Sequence, residues 1–432
     1  MILTKNFNKA FLLLTYLIGC FPILTFGMRS VTTIVWSILG VFIFFRKQED
    51  YKLTKDIWIF VLPFLILAFS LTYSANLQFG IAILIKMISV IIFPFIFYLN
   101  SDFFTKKQIS KIIYFFVFSV FIIIIYQFIQ VGLNYTFITD NITLQEIKSN
   151  GFFALNEISE EKISQIKLRR FRNFIIKISN THTTYQGLWI SFSVFFLASK
   201  LKKAKRKLFL LGIVLLIALL SIWFYMISVR IAFLAFIVSI VVYIFIFSEF
   251  SKRKKILISV LFSGIFLTLL MFENPFSIRV KEYYKTGFSL LEKKSKATEF
   301  NSSNVRNGIY YCDFKLIQES PLFGVGVGDV QDKLNGCFRD NLGSKIYNWH
   351  TFNSHNQYMF FWISSGVLGL MSFMFLIFKV FMFSLKEKNK FLFFITLLIA
   401  IFFLTENLLE RSDGLIFYSF FTGVLYFNSL KE

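Results

Sequence analysis

The chain has 432 residues, 56% hydrophobic and 20% aromatic, with a mean hydropathy of +0.67. Its apolar runs repeat at about 20 residues, the length that crosses ~30 Å of hydrocarbon, which excludes a soluble fold; the ten-residue alternation of an outer-membrane barrel is absent. The formal net charge of +22 falls in short clusters between those runs rather than along one basic face, which points to anionic lipid headgroups and away from nucleic acid.

The pattern predicts an all-α, polytopic integral membrane protein, one membrane domain over residues 1–432. Twelve spans are expected, at 10–26, 31–45, 57–71, 79–99, 112–133, 185–199, 208–227, 230–247, 256–272, 358–383, 391–404 and 415–430. The second and eleventh look short. Lys5 and Lys9 precede Leu17-Ile18-Gly19-Cys20, which resembles a lipoprotein processing site, but the run continues to Phe26 and an uncleaved first span is expected. Alternate connections carry the basic clusters: Arg46, Lys47, Lys52 and Lys55; Lys106, Lys107 and Lys111; Lys200 to Lys207, including Lys203; Lys252 to Lys255; and Lys386 to Lys390. The remaining short connections offer only Arg29, Arg230 and Arg411, so both termini are expected in the cytoplasm. Two long loops then fall outside, 134–184 and 273–355. Both carry apolar residues at helical spacing and are expected to fold against the membrane. Mid-span sequence is nearly featureless apart from Lys86.

The chemistry concentrates near those loops. All three histidines, His182, His350 and His355, lie at or near the outer face, where a histidine can act as general base for a hydroxyl. His355, in Ser354-His355-Asn356 where the loop re-enters the bilayer, is the expected base. His182 has the matching position before the sixth span and is either functional or an ordinary loop residue; His350 reads as a loop residue. Zinc-ligand spacing is absent among the three. Arg230 opens the eighth span, where a guanidinium either serves a site or snorkels to the interface. Arg306 lies in a loop helix capped by Ser303 and ended by Pro321, with Val305, Ile309, Cys312 and Leu316 on one face. Planar guanidinium forks on one membrane side suit a lipid diphosphate, with Arg279 a subordinate third candidate.

Gly324, Gly326 and Gly328 follow a helix and lack a Lys-Ser/Thr, so they read as a structural turn, with backbone amides available to an anion, and not as a nucleotide loop. Glu406 and Glu410, four apart, would share a helix face. They either orient the arginines or histidine, help bind a sugar, or are interface charges, with Arg411 and Asp413 following. Cys312 and Cys337 share a loop in which an oxidising compartment permits a disulfide; Cys20 is intramembrane.

These motifs, in order, resemble the O-antigen ligase / O-antigen polymerase superfamily of bacterial envelope enzymes. The resemblance rests on Arg306 with its helix to Glu319, Ser320-Pro321-Leu322-Phe323-Gly324-Val325-Gly326, Ser354-His355-Asn356-Gln357-Tyr358 and Ser365-Gly366-Val367-Leu368-Gly369-Leu370. Ser228-Val229-Arg230 and the Glu406 to Gly414 segment support it. It implies twelve helices with a large helical loop before the tenth, in the bacterial inner membrane. It further implies metal-independent, inverting, cofactor-free transfer of a glycan from undecaprenyl diphosphate at the periplasmic face. Arg230 and Arg306 match the arginines that hold the diphosphate and His355 the essential histidine. Arg279, His182, Glu406 and Glu410 are the expected substrate-binding set. The acceptor is a lipid A–core sugar for a ligase and the growing lipid-linked glycan for a polymerase; protein-glycosylating ligases share the superfamily. A transporter without chemistry is the competing class, but transporters collect polar groups at the midplane, not the rim.

Overall fold

The computed structural model describes residues 2–46, 55–202, 204–271 and 275–429. Lys47, Lys52 and Lys203 of the charge pattern, and the expected span ends at 272 and 430, lie outside them. Among the described residues the chain is helical without a strand, apart from an isolated bridge between Glu292 and Gly343. The first half runs α1 (Ile2–Gly19), α2 (Phe26–Arg46), α3 (Asp56–Phe69), α4 (Leu77–Met87), α5 (Ser89–Leu99) and α6 (Lys106–Leu133). The first long loop folds as α7 (Tyr135–Thr139), α8 (Leu144–Ser149) and α9 (Glu160–Ser179). Then come α10 (Thr183–Leu201), α11 (Lys207–Ile227), α12 (Arg230–Phe247) and α13 (Lys252–Met271). The second loop holds α14 (Pro275–Thr286), α15 (Ser302–Glu319), α16 (Val330–Cys337) and α17 (Ile346–Trp349), and the chain ends with α18 (Gln357–Lys386), α19 (Lys390–Phe402) and α20 (Ser412–Phe427).

Each expected span overlaps a helix, with the fourth divided between α4 and α5 and the first ending at Gly19 instead of reaching 26. Seven are long and apolar enough to cross a membrane: α2, α3 with its following turn to Tyr73, α4–α5 taken together, α6, α11, α12 and α18. α2 covers 21 residues, so the second span is not short; the eleventh, α19, has 13. Two of the other helices, α10 and α20, fall short for a physical reason. α20 is buried continuously from Asp413 to Phe427, and α10 from Thr183 to Ser193. A helix enclosed by other helices is not solvated by lipid, so it tolerates Thr, Gln and Ser and needs less apolar length. Aromatic rings fill the spaces between. Phe195 and Phe394 stack at 3.8 Å, and Phe116, Phe192 and Phe417 meet Phe421 within 4.9–5.4 Å.

Two local devices set the loop against the bundle. α18 breaks at Ser365 and Gly366, where φ is −135° and 68°. The glycine-rich turn docks into that break: Val325 N–H donates to Ile363 O at 2.7 Å, Gly326 N–H to Ser364 O at 3.0 Å, and Val367 N–H to Pro321 O at 3.0 Å. Val327 and Gly328 N–H donate to the Ser70 and Ser74 hydroxyls, both at 3.1 Å. The Asp329 carboxylate accepts from the Ala75 and Asn76 amides ahead of α4, each at 2.8 Å. The second device is α15. Its cap is Asn301, which accepts from Ser303 and Asn304 N–H at 2.8 and 2.9 Å, so the expected Ser303 cap sits two residues inside. Ile309, Cys312 and Leu316 form its buried face, and Cys312 is bridged to Cys337 of α16, as the shared loop allowed.

Candidate active site

α18 starts at Gln357 because Asn356 caps it, accepting from Tyr358 and Met359 N–H at 3.0 and 3.1 Å. The preceding His355 has φ 45°, a left-handed conformation that a residue with a Cβ adopts only when its surroundings hold it there. Here they do. Gln357 N–H donates to Phe403 O at 2.8 Å and its Oε1 accepts from Leu409 N–H at 3.0 Å. Ser354 Oγ and the Asn407 amide are bonded at 3.0–3.1 Å. Glu410 accepts from Asn407 at 2.6 Å through one oxygen and from Asn353 at 2.9 Å through the other. Burial raises the Glu410 carboxyl against those two amides. Glu410 is therefore spent on bracing the turn. It shares no helix face with Glu406, because the chain leaves α19 before Glu406 and Glu410 closes a separate turn, Leu408–Glu410.

Glu406 is the hinge of the site. One oxygen accepts from Arg306 Nη2 at 3.2 Å; the other faces His355 Nδ1 at 3.8 Å, ion-pair range but longer than a formed hydrogen bond. His355 Nδ1 is buried and makes no hydrogen bond to any described residue. Burial works to raise the Glu406 carboxyl, but His355 and the Arg306 guanidinium outweigh it and hold its pKa below the ordinary value. The side chains of His355 and Arg306 are 28% and 32% exposed, so both reach solvent while Glu406, at 14%, sits behind them.

A second group closes on the first. α11 ends at Ser228, whose φ of 47° turns the chain sharply into α12, so Arg230 heads α12 and donates to Ser302 Oγ at 3.2 Å. From the first loop, Arg172 of α9 donates twice to the buried Thr183 hydroxyl, at 2.7 and 3.1 Å. Burial, with the like charges of Arg230 and Arg306, lowers its pKa to about 10. His182 caps α10: Nδ1 accepts from Thr184 N–H at 3.3 Å, which leaves the ring proton on Nε2. Desolvation of the ring by the surrounding atoms, although its surface stays open to solvent, and then the nearby Arg172 lower its pKa to about 4, against the raising influence of Glu406. His182 is thus neutral at pH 7, suited to donate a hydrogen bond and a poor base.

The structure brings together His355, Arg306, Glu406, Arg230 and His182. Arg172 is the member that sequence reasoning missed; in Arg169-Arg170-Phe171-Arg172 it looks like one of a run of surface charges. Its neighbour Arg170 is structural, holding Glu146 of α8 through Nε at 2.7 Å. Arg279 lies on α14 and its side chain is outside the described residues. His350 is exposed and stands apart, 6.0 Å from the Phe352 ring. The amides of the glycine-rich turn are engaged by protein acceptors, so they are not available to an anion. Arg29 and Asp413 form a buried pair at 2.6 Å that ties α2 to α20. Among the described residues no group of three His, Cys, Asp or Glu side chains is placed to hold a metal ion.

Residues 215–374 match the family model described as O-Antigen ligase, so this stretch of the chain is a domain of that family. The match runs from within α11 to within α18 and takes in Arg230, Arg306 and His355. Arg172, His182, Glu406 and Glu410 lie outside it. No curated protein matches the chain.

Proposed function

We propose that this membrane protein transfers a glycan from undecaprenyl diphosphate to a sugar hydroxyl, as an O-antigen ligase with a lipid A–core acceptor. The observation that carries the reading is the Arg306–Glu406–His355 chain, set among Arg172 and Arg230, with Arg230, Arg306 and His355 inside the matched family segment. Glu406 orients the imidazole with its proton on Nδ1, leaving the Nε2 lone pair for the acceptor hydroxyl. The 3.8 Å spacing tightens when substrate binds, as apo contacts of this kind do. The acceptor oxygen attacks the anomeric carbon from the face opposite the diphosphate and its proton passes to His355. The carbon–oxygen bond to the phosphate breaks, and undecaprenyl diphosphate leaves with the electron pair. Arg230, Arg306 and Arg172 carry the charge that develops on it, and His182 Nε2–H adds a neutral donor. No step needs a cofactor. A single displacement inverts the anomeric centre.

Polymerisation of the lipid-linked glycan uses the same groups with a different acceptor. The folded first loop, which contributes Arg172, is the feature that favours it as the second reading. The test is reconstituted transfer from the native lipid-linked donor. His355→Ala is expected to lower kcat by roughly 10²–10⁴-fold, the contribution of a general base, with unchanged membrane insertion. Full turnover by that variant sinks the mechanism.

A further inference from the structure

A second concave site adjoins the candidate centre without belonging to it. An open cleft of about 280 Å³ is lined by Asn335, Arg339, Asn348, Trp349, His350 and Thr351. Trp349 is 53% exposed, and its ring is steadied by the Phe300 ring at 5.8 Å. Among the described residues, the side chains of Asn348, His350 and Thr351 form no hydrogen bond within the protein. The wall of the cleft is held by its own contacts. Gln331 Nε2 donates to Asn335 Oδ1 and to Phe352 O, each at 3.0 Å; the Tyr347 ring stacks on Phe338 at 4.7 Å; and the Cys312–Cys337 bridge anchors α16.

We propose that this cleft binds a pyranose residue of the glycan, an inference that rests on the transferase reading above. A pyranose offers a ring of hydroxyls that both donate and accept, and an apolar C–H face. Amide, imidazole and hydroxyl groups with unspent hydrogen-bonding capacity answer the first. An exposed indole beside them answers the second. The size fits a single sugar, lying just under the ~300–1,000 Å³ of pockets for drug-sized ligands. An anion is the poorer fit. Arg339 is already paired with Asp340 at 2.8 Å and no other cation lines the cleft. Position supports the assignment as well. The Phe352 ring lies 6.0 Å from His350 and 6.5 Å from His355, so the two imidazoles are at most about 12.5 Å apart. A sugar held at Trp349 is then a near neighbour of the reacting one, and the cleft sets which glycans are accepted.

The probe is the oligosaccharide released by mild acid from the cell's own lipid-linked donor, offered to the full chain in detergent. Saturation-transfer NMR is expected to show contact with the wild type and with His355→Ala, lost in Trp349→Ala and kept in Trp349→Phe. In turnover, Trp349→Ala and His350→Ala should raise KM for one glycan substrate roughly tenfold with kcat little changed, the mark of lost uniform binding. Measuring KM for the lipid-linked donor and for the acceptor separately tells which of them supplies the sugar. Absence of contact with the wild type overturns the proposal, and so does a Trp349→Ala chain that keeps both contact and KM. Binding that depends on Trp349 in a protein that transfers nothing from a lipid diphosphate upholds the cleft and removes the transferase reading.

Discussion

His355 sits at φ 45°, and Ser228 and Asn180, each two residues ahead of Arg230 and His182, share that left-handed conformation. Three of the four non-glycine positive-φ residues described thus flank or form the candidate site, the kind of stored strain that fixed surroundings sustain. Replacing His355 with glycine separates geometry from chemistry. His355→Gly should be as stable as the wild type or more so, by up to about 1 kcal/mol, while transfer is lost; a clear drop in its thermal unfolding temperature would refute the strain. Asp313 gives a different prediction. It is fully buried in α15, neither oxygen has a partner among the described residues, and burial raises its pKa well above the ordinary carboxylate. A folded-state pKa above the unfolded one means stability is greatest below the unfolded pKa of 3.8 and falls as pH rises toward the folded value. Asp313→Asn should remove that slope, so its gain over the wild type grows from pH 4 to pH 8 in thermal melts; parallel curves would contradict it. At this scale His355 and Arg306 were legible because histidine and arginine stand out in so apolar a chain. Arg172 was not, since a charge run looks the same in sequence whether it is solvated or, as here, partly turned inward toward Thr183.

At the scale of elements, chemistry types were readable and local geometry less so. The helix from Arg306 to Glu319 and its buried face followed from spacing. The Cys312–Cys337 bridge was only permitted by the compartment, since the Cα separation of 5.8 Å that closes it is set by how α15 and α16 pack. The cap moved from Ser303 to Asn301 because the reciprocal Asn301–Asn304 pair satisfies more amides than a lone serine. Glu406 and Glu410 failed as a helical pair because the i, i+4 argument assumed a continuous helix. The glycine-rich turn was rightly structural, but its partner was invisible: nothing local shows that α18 breaks at Gly366 to receive it. A Cβ on Gly366 would lie 2.0 Å from Leu322 O, a backbone atom that cannot yield, and the residue's φ of 68° adds strain. Gly366→Ala should destabilise the docked loop by roughly 2–3 kcal/mol, the upper range for a single residue forced into a Gly-only conformation. Hydrogen exchange reads this directly: Val325 and Gly326 amides, protected by α18 carbonyls, should exchange faster while α12 is unaffected. Equal protection in both proteins would mean that the break is set by α18 itself.

The path of the whole chain bears on the twelve-span reading more than any one helix does. Glu161 of the first loop pairs with Lys285 of the second at 2.6 Å, Arg172 meets Thr183, Arg230 meets Ser302, and Asp329 meets Asn76. Arg29 meets Asp413, and Arg306 meets Glu406. These contacts gather six connections at one end of the bundle: those after α1, α3, α6, α11, α13 and α19. A second set joins the start of α6 to the end of α10, where Lys200 Nζ donates to Ser110 Oγ at 3.0 Å, and the turn after α18 to the end of α20, where Asn389 donates to Ser429 Oγ at 2.7 Å. The twelve-span reading predicts that these two sets of contacts lie on opposite faces of the membrane. Lys106, Lys107 and Lys111, and Lys386 to Lys390, border the second set, and the charge asymmetry predicts that this face is cytoplasmic. A single engineered thiol tests this in intact cells against an impermeant maleimide, with Cys20 replaced and the native bridge left in place. Ser149→Cys and Ser295→Cys, one in each long loop, should label from outside, and Ser251→Cys, between α12 and α13, only after the membrane is opened. Labelling of Ser149→Cys without Ser295→Cys would put an odd number of crossings between two loops that touch. That outcome is incompatible with the Glu161–Lys285 pair, and it would withdraw Arg172 and His182 from the face that carries His355.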